Sequence, residues 1–166
     1  MNDRKIIIVL LGVAGVGKTT VGQLLASKFG WLFVDTDDYH PHENIEKMAS
    51  GFPLTEEDRK RWLEEAKRAF IKLSLRSENA VFAFPGLKQK HRRCVLDDNS
   101  SIMLVHLVGD FDLIHKRLQA REGHFFPAHL LQSQFDILQP PNEAFRIDVN
   151  SSPADIVTTI RNKLGI

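Results

Sequence analysis

The chain is expected to fold as a doubly wound α/β protein, with a mostly five-stranded parallel sheet and helices on both faces. Three features of the 166 residues point there. The first strand is apolar and β-branched, a glycine-rich turn passes it directly into a helical pattern, and short apolar runs then alternate with helical periodicity to the end.

Lys5 to Leu11 (KIIIVLL) is apolar on both faces, as a central strand covered from each side requires. After the turn, Val21, Leu24, Leu25 and Phe29 recur at helical spacing. Trp31 to Val34 reads as the second strand, Val81 to Phe84 as the third, Ile102 to Val108 as the fourth and Ala144 to Val149 as the fifth. Between the second and third, Thr55 to Arg76 sets Trp62, Leu63, Ala66, Phe70 and Leu73 on one face, and Thr55 with Asp58 has capping-box spacing. The last helix opens on Ser152 as N-cap and Pro153 in the first turn, and its buried stripe is Ile156, Val157, Ile160 and Leu164. No repeat or low-complexity tract interrupts this order. The stretches Gly51 to Pro53 and Gln139 to Asn142 are of loop length, so residues 1–166 are expected to form one domain.

Lys+Arg number 22 against 21 Asp+Glu, a formal charge of +1 with histidines neutral. That balance offers no cationic surplus for a run of phosphates, which argues against nucleic acid as a partner. The longest apolar run is too short to span a bilayer, no targeting segment opens the chain, and the lone Cys94 forms no internal disulfide. A cytoplasmic protein away from membranes is the expectation, with Cys94 a structural thiol.

Directly after the first strand stands Gly12-Val13-Ala14-Gly15-Val16-Gly17-Lys18-Thr19, a complete G-x-x-x-x-G-K-[ST] phosphate loop in the strand-to-helix context the pattern needs. Glycines let successive N–H groups turn into one concavity, and the following helix adds its positive end. The residues from Gly12 to Thr20 are therefore the expected nucleotide-binding set, with Lys18 on the β/γ-phosphates and the Thr19 hydroxyl on Mg²⁺. The dinucleotide pattern G-x-G-x-x-G is absent.

The second strand runs into Asp35-Thr36-Asp37-Asp38-Tyr39-His40-Pro41 at the carboxyl edge of the sheet, where ligands of open α/β folds bind. If the strand continues extended, Asp35 and Asp37 project the same way, one toward hydrated Mg²⁺ and the other toward an acceptor hydroxyl. A solvated acidic turn is the alternative.

Together with the phosphate loop, DTDDYHP, Asn44-Ile45-Glu46-Lys47-Met48, Pro53-Leu54-Thr55 with Asp58-Arg59, and Gly109-Asp110-Phe111 running to Arg117, Arg121, Gly123-His124-Phe125-Phe126 and Gln134-Phe135 make the chain resemble the gluconokinases. The resemblance covers nearly the whole length. It implies a P-loop kinase three-layer sandwich related to shikimate and adenylate kinases, with a helical lid at about 121–135. It further implies ATP with Mg²⁺, phosphorylation of D-gluconate at its terminal hydroxyl, and a homodimer. By the same resemblance Lys18 and Thr19 serve nucleotide and metal, Asp35 the metal shell and Asp37 the acceptor side, while His40 and Arg59 are acceptor-pocket candidates. Arg59 suits a carboxylate, whose geometry matches its planar fork. Arg117 and Arg121, four apart, are placed to share a helical face and to stabilise transition-state charge when the lid closes, ahead of His124. Asn150 to Pro153 resembles the loop that packs on adenine.

One segment departs from the family pattern. Where the resemblance leads one to expect Cys-Ser-Ala-Leu-Lys and then Tyr-Arg-Asp, the chain has Phe84-Pro85-Gly86-Leu87-Lys88 and His91-Arg92-Arg93. Lys88 and Arg92 are retained and are further acceptor-side candidates. Either the added charge of Arg93 strengthens anion binding, even to a phosphorylated acceptor, or Lys90, His91 and Arg93 form a solvated helix face. A kinase for shikimate or a nucleoside monophosphate, and a nucleotide-binding regulator without transfer, are the rival readings.

Overall fold

The structure, a computed structural model, describes residues 4–96 and 101–166. The expected domain of residues 1–166 and the reading of the chain start also include residues 1–3 and 97–100, which lie outside the described residues.

Strands β1 Ile7–Leu11, β2 Leu32–Asp35, β3 Ala80–Ala83, β4 Ile102–Val108 and β5 Phe145–Asp148 form one sheet in the order β2-β3-β1-β4-β5. Every pairing is parallel. Helices α1 Lys18–Phe29, α2 His42–Ala49, α3 Glu56–Ser74, α4 Gln89–Val95, α5 Phe111–Ala120, α6 Leu131–Ile137 and α7 Pro153–Leu164 alternate with the strands. All five expected strands are present, each within two residues of its expected ends.

The apolar doubling of β1 now has its cause. Ile8 and Leu10 point into a core built with Val21 and Leu25 of α1 and Ile156 and Ile160 of α7. Ile7, Val9 and Leu11 point into a second core with Trp62, Ala66 and Phe70 of α3. Leu24, expected on the buried stripe of α1, is exposed; the covered face is Val21, Gly22, Leu25 and Ala26. The i, i+4 spacing of Val21 and Leu25 sets that face, and Leu24 lies beyond its edge. At the far edge β5 buries only Ile147, as a strand with one neighbour allows.

Both capping expectations are met. Asp58 N donates to Thr55 Oγ1 while Thr55 N donates to Asp58 Oδ2, closing the box at the start of α3. Ser152 Oγ accepts from Asp155 N at the start of α7. Because all strands run the same way, the turns after β1, β2, β3 and β4 and the Asn150–Pro153 segment after β5 gather along one edge.

Candidate active site

The turn after β1 is shaped by glycine where no other residue fits. A Cβ on Gly12 would lie 2.7 Å from Leu107 O, and one on Gly15 would lie 2.6 Å from Leu118 Cγ, each at positive φ. Val13 and Val16 bury their side chains in the core and offer only main chain to the loop. Gly17 precedes α1 without a side-chain cap, leaving the helix's first N–H groups free for an anion. Lys18 Nζ donates to Gly12 O and Val13 O, both at 2.8 Å. Burial lowers its pKa to about 8; Asp37 and Asp35 oppose that shift and Arg121 adds to it. Thr20 lines a cavity on this side of the loop together with Arg117, Arg121, Ser151 and Pro153.

Strand β2 ends at Asp35, and the chain then winds into a 3-10 turn, Thr36–Tyr39, rather than continuing extended. Asp35 starts that turn by accepting from Asp37 N at 2.9 Å, so the turn, not strand alternation, aims Asp37. Thr19 Oγ1 donates to the other oxygen of Asp35. The two carboxylates part in character. Burial and the neighbouring Asp37 raise the pKa of Asp35, against its hydrogen bonds and Lys18. For Asp37, burial pushes upward but is outweighed by His124, Lys18 and His40, which leave it below the ordinary carboxylate value. Asp38 is exposed and faces a shallow depression with Thr19 and Tyr39.

Asp37 and Lys18 line a cavity of about 660 Å³, open mouth included, whose walls include His40, Arg59, Trp62, Gly86 and His91. His40 is buried, stacked on Trp62, and meets Phe125 edge-on. Its Nε2 is 4.0 Å from Asp37 Oδ1, and its Nδ1 has no protein partner. Burial pushes its pKa down to about 4, so the ring is neutral at physiological pH; Asp37 resists this, while Arg59 and His124 assist it. The Arg59 guanidinium is held by Leu54 O at 2.8 Å and lies 3.8 Å from Glu56.

The other acceptor-side cations are spent elsewhere. Lys88 does not line the cavity; its Nζ is 2.9 Å from Glu56 Oε1. Arg92 is buried and donates to Gly86 O at 2.6 Å and Gln139 O at 2.9 Å, bracing the turn after β3. Arg93 is exposed. His91 is not on a solvated face: it is buried, lines the cavity and lies 3.2 Å from Glu56 Oε2. Composition could not find it, because its partner Glu56 lies 35 positions earlier, at the start of α3.

Helix α5 ends at Ala120, and Arg121 already has extended backbone. Arg117 Nη2 donates to Val149 O at 2.8 Å, tying α5 to the end of β5. Arg121 Nη2 contacts His124 Nδ1 at 2.9 Å, and His124 Nε2 reaches within 3.7 Å of Asp37 Oδ2. The tip 124–126 thus folds over the acidic turn, and Phe125 and Phe126 roof the cavity. Gln134 of α6, part of the quoted motif but given no role from the sequence, accepts from Ala14 N at 2.7 Å.

The shikimate kinase family model matches residues 14–139. A probable gluconokinase of Xenopus tropicalis is 40% identical over 176 aligned positions, covering 95% of this chain and 93% of that protein. The crystal structure of a sugar kinase from Janibacter superposes with a TM-score of 0.84 at 33% identity, covering 98% of this chain and 95% of that one. For a gluconokinase from Sinorhizobium meliloti the TM-score is 0.76 at 31% identity, with 98% and 97% covered. Identity at this level along almost the full length of both partners shows kinship, and this chain belongs to the gluconokinase family, on the fold that shikimate kinase shares.

Proposed function

We propose that the protein transfers the γ-phosphoryl of MgATP to the terminal hydroxyl of D-gluconate, giving 6-phosphogluconate and ADP. The observation that carries this reading is that Lys18 of the phosphate loop and Asp37 share one cavity with the Arg59 guanidinium. A triphosphate seated on the loop brings its γ-phosphoryl to that cavity, and an acceptor whose carboxylate pairs with Arg59 turns its far hydroxyl toward Asp37. Asp37, ionised at neutral pH, takes the hydroxyl proton as the oxygen bonds to phosphorus and the bond to ADP breaks. Neutral His40, stacked on Trp62, forms part of the wall against which the acceptor packs.

Thr19 and Asp35 supply hard oxygen donors side by side at the start of α1, which suits Mg²⁺. Among the described residues no cluster of three His, Cys, Asp or Glu stands ready for a metal, so the nucleotide and water must complete its shell. When bound, the ion neutralises phosphate charge. Arg117 and Arg121 flank the nucleotide-side cavity and are assigned to transition-state charge, and Asn150 to Pro153 to the base. Residues 121–135 act as the lid of a single domain, excluding water from the reacting phosphoryl.

A phosphorylated acceptor has less support, because Lys88 is paired with Glu56 and Arg92 with two carbonyls. An acceptor panel with MgATP tests the reading: gluconate should give 6-phosphogluconate, whereas turnover of shikimate or a nucleoside monophosphate alone replaces the acceptor. Nucleotide binding with no product from any acceptor makes the protein a regulator. A homodimer in the cytoplasm completes the proposal, supported by the family resemblance and the single free Cys94. Sedimentation as a monomer at assay concentration removes the first part, and fractionation with a membrane or organelle the second. Among the described residues no helix is long and apolar enough to cross a membrane.

A further inference from the structure

The phosphate loop and the lid meet in a polar contact between residues 120 positions apart: Ala14 N–H donates to Gln134 Oε1 at 2.7 Å. Only the oxygen of a carboxamide can accept from an N–H, so this bond fixes which way the Gln134 amide faces. The helix behind it is anchored independently, with Leu131 fully buried and Phe135 packed edge-on against Phe111 at 5.6 Å. Gln134 also lines the cavity that holds Lys18 and Asp37. A neutral acceptor is what this place requires. A carboxylate would set negative charge beside the phosphoryl, and a cationic side chain could not accept from the amide.

Resting on the kinase reading above, we propose that Gln134 is a positioning residue for phosphoryl transfer. By capping the Ala14 amide it seats the lid on the phosphate loop, so that the acceptor hydroxyl, and not water, meets the γ-phosphoryl.

The test is Gln134→Met, which keeps length and loses the acceptor. The expected result is a fall of about tenfold or more in the ratio of gluconate-dependent transfer to acceptor-independent ATP hydrolysis, through kcat, with the KM for ATP changed by less than about threefold. A ratio within about twofold of the parent overturns the proposal. Hydrogen exchange supplies a readout without turnover. The Ala14 amide should be protected in the parent, exposed in Gln134→Met, and protected again in Gln134→Glu, which keeps an acceptor oxygen at the same reach. An Ala14 amide that exchanges in the parent as fast as an open loop overturns the proposal even if the Met variant fails to fold. Should the parent phosphorylate no gluconate, the kinase reading fails on its own. Gln134 is then judged by exchange and by the rise in ATP hydrolysis in Gln134→Met, and absence of both overturns it.

Discussion

The imidazole of His40 lies flat against the indole of Trp62, ring centroids 4.3 Å apart and planes within 10°. Trp62 Nε1 donates to Thr36 O at 2.8 Å, so one side chain of α3 supports both the cavity wall and the turn that aims Asp37. Trp62→Phe keeps a ring under His40 but strands a buried carbonyl, which costs about 1–3 kcal/mol. Chemical denaturation should show that loss. Steady-state kinetics should show a lower kcat with the KM for ATP little changed, since the phosphate loop is untouched. Full stability in Trp62→Phe would mean that the indole N–H does not hold the turn.

Asp37→Asn removes the proton acceptor and nearly preserves shape. If Asp37 takes the hydroxyl proton, kcat should fall by roughly 10²–10⁴ while the KM for ATP stays within about twofold. An equal loss in ATP binding would transfer Asp37 to the metal-side role proposed for Asp35 and Thr19.

Lys18 titrates at about 8 in the free protein because burial disfavours its charge. Phosphates bind the ammonium, not the amine, so above that pH nucleotide binding must take up a proton. Its affinity should then weaken by about tenfold per pH unit. Below pH 8 the affinity should not depend on this group. Lys18→Arg should lack the alkaline limb, as guanidinium stays charged, and Lys18→Met should lose about tenfold or more at pH 7, a deficit that narrows as the parent's lysine is neutralised above pH 8. Calorimetric titration of ATP between pH 7 and 9.5 checks all three, and a parent with no alkaline limb contradicts the assignment.

The succession of strands along the chain and the phosphate loop were legible because their signals are local. An apolar strand, a glycine turn and a lysine at fixed spacing specify one another within twenty residues. The caps Thr55–Asp58 and Ser152–Asp155 were legible for the same reason. Lys88 and Arg92 were marked as acceptor-side cations because the family pattern retains them, and a retained charge does not announce its partner. Lys88 finds Glu56, 32 positions earlier, and Arg92 finds carbonyls of Gly86 and Gln139. Gln134 and His91 escaped assignment because their meaning lies in Ala14 and Glu56, which only the packed fold brings near. Aspartate 37 was expected from strand alternation and arrived by a helical turn instead, since Asp35 caps the turn with its own side chain.

His106 on β4 is 6% exposed, and its pKa is pushed down to about 4, first by burial and then by Arg146, Arg92 and Lys18. The folded state therefore holds this proton less tightly than the unfolded chain, whose histidine titrates near 6.5. The contribution is fully present above pH 6.5, shrinks as pH falls toward 4, and amounts to on the order of 3 kcal/mol across that window. His106→Gln cannot titrate. Urea unfolding at stepped pH should show it losing less stability than the parent between pH 6.5 and 4, with His40 and His91 common to both. An equal loss would place the acid sensitivity elsewhere.

Glu56 gathers Lys88 and Lys90 at 2.9 Å and His91 at 3.2 Å around a half-exposed carboxylate. Burial opposes its ionisation, yet those hydrogen bonds keep its pKa well below the usual range. In Glu56→Gln the lysines lose their counterion beside the acceptor cavity. Glu56 lies 3.8 Å from Arg59, so the charge freed there acts on the end of the cavity assigned to the acceptor's carboxylate, which gluconate and its 6-phosphate share. At this exposure the coupling is about 1 kcal/mol, or roughly fivefold in affinity. The KM for gluconate and the inhibition constant of 6-phosphogluconate should therefore both tighten about fivefold at low ionic strength and return toward the parent values as salt rises. Unchanged constants at low salt would show that Glu56 does not tune the carboxylate end, whose recognition would then rest on Arg59 and the walls formed by Trp62, Phe125 and Gly86.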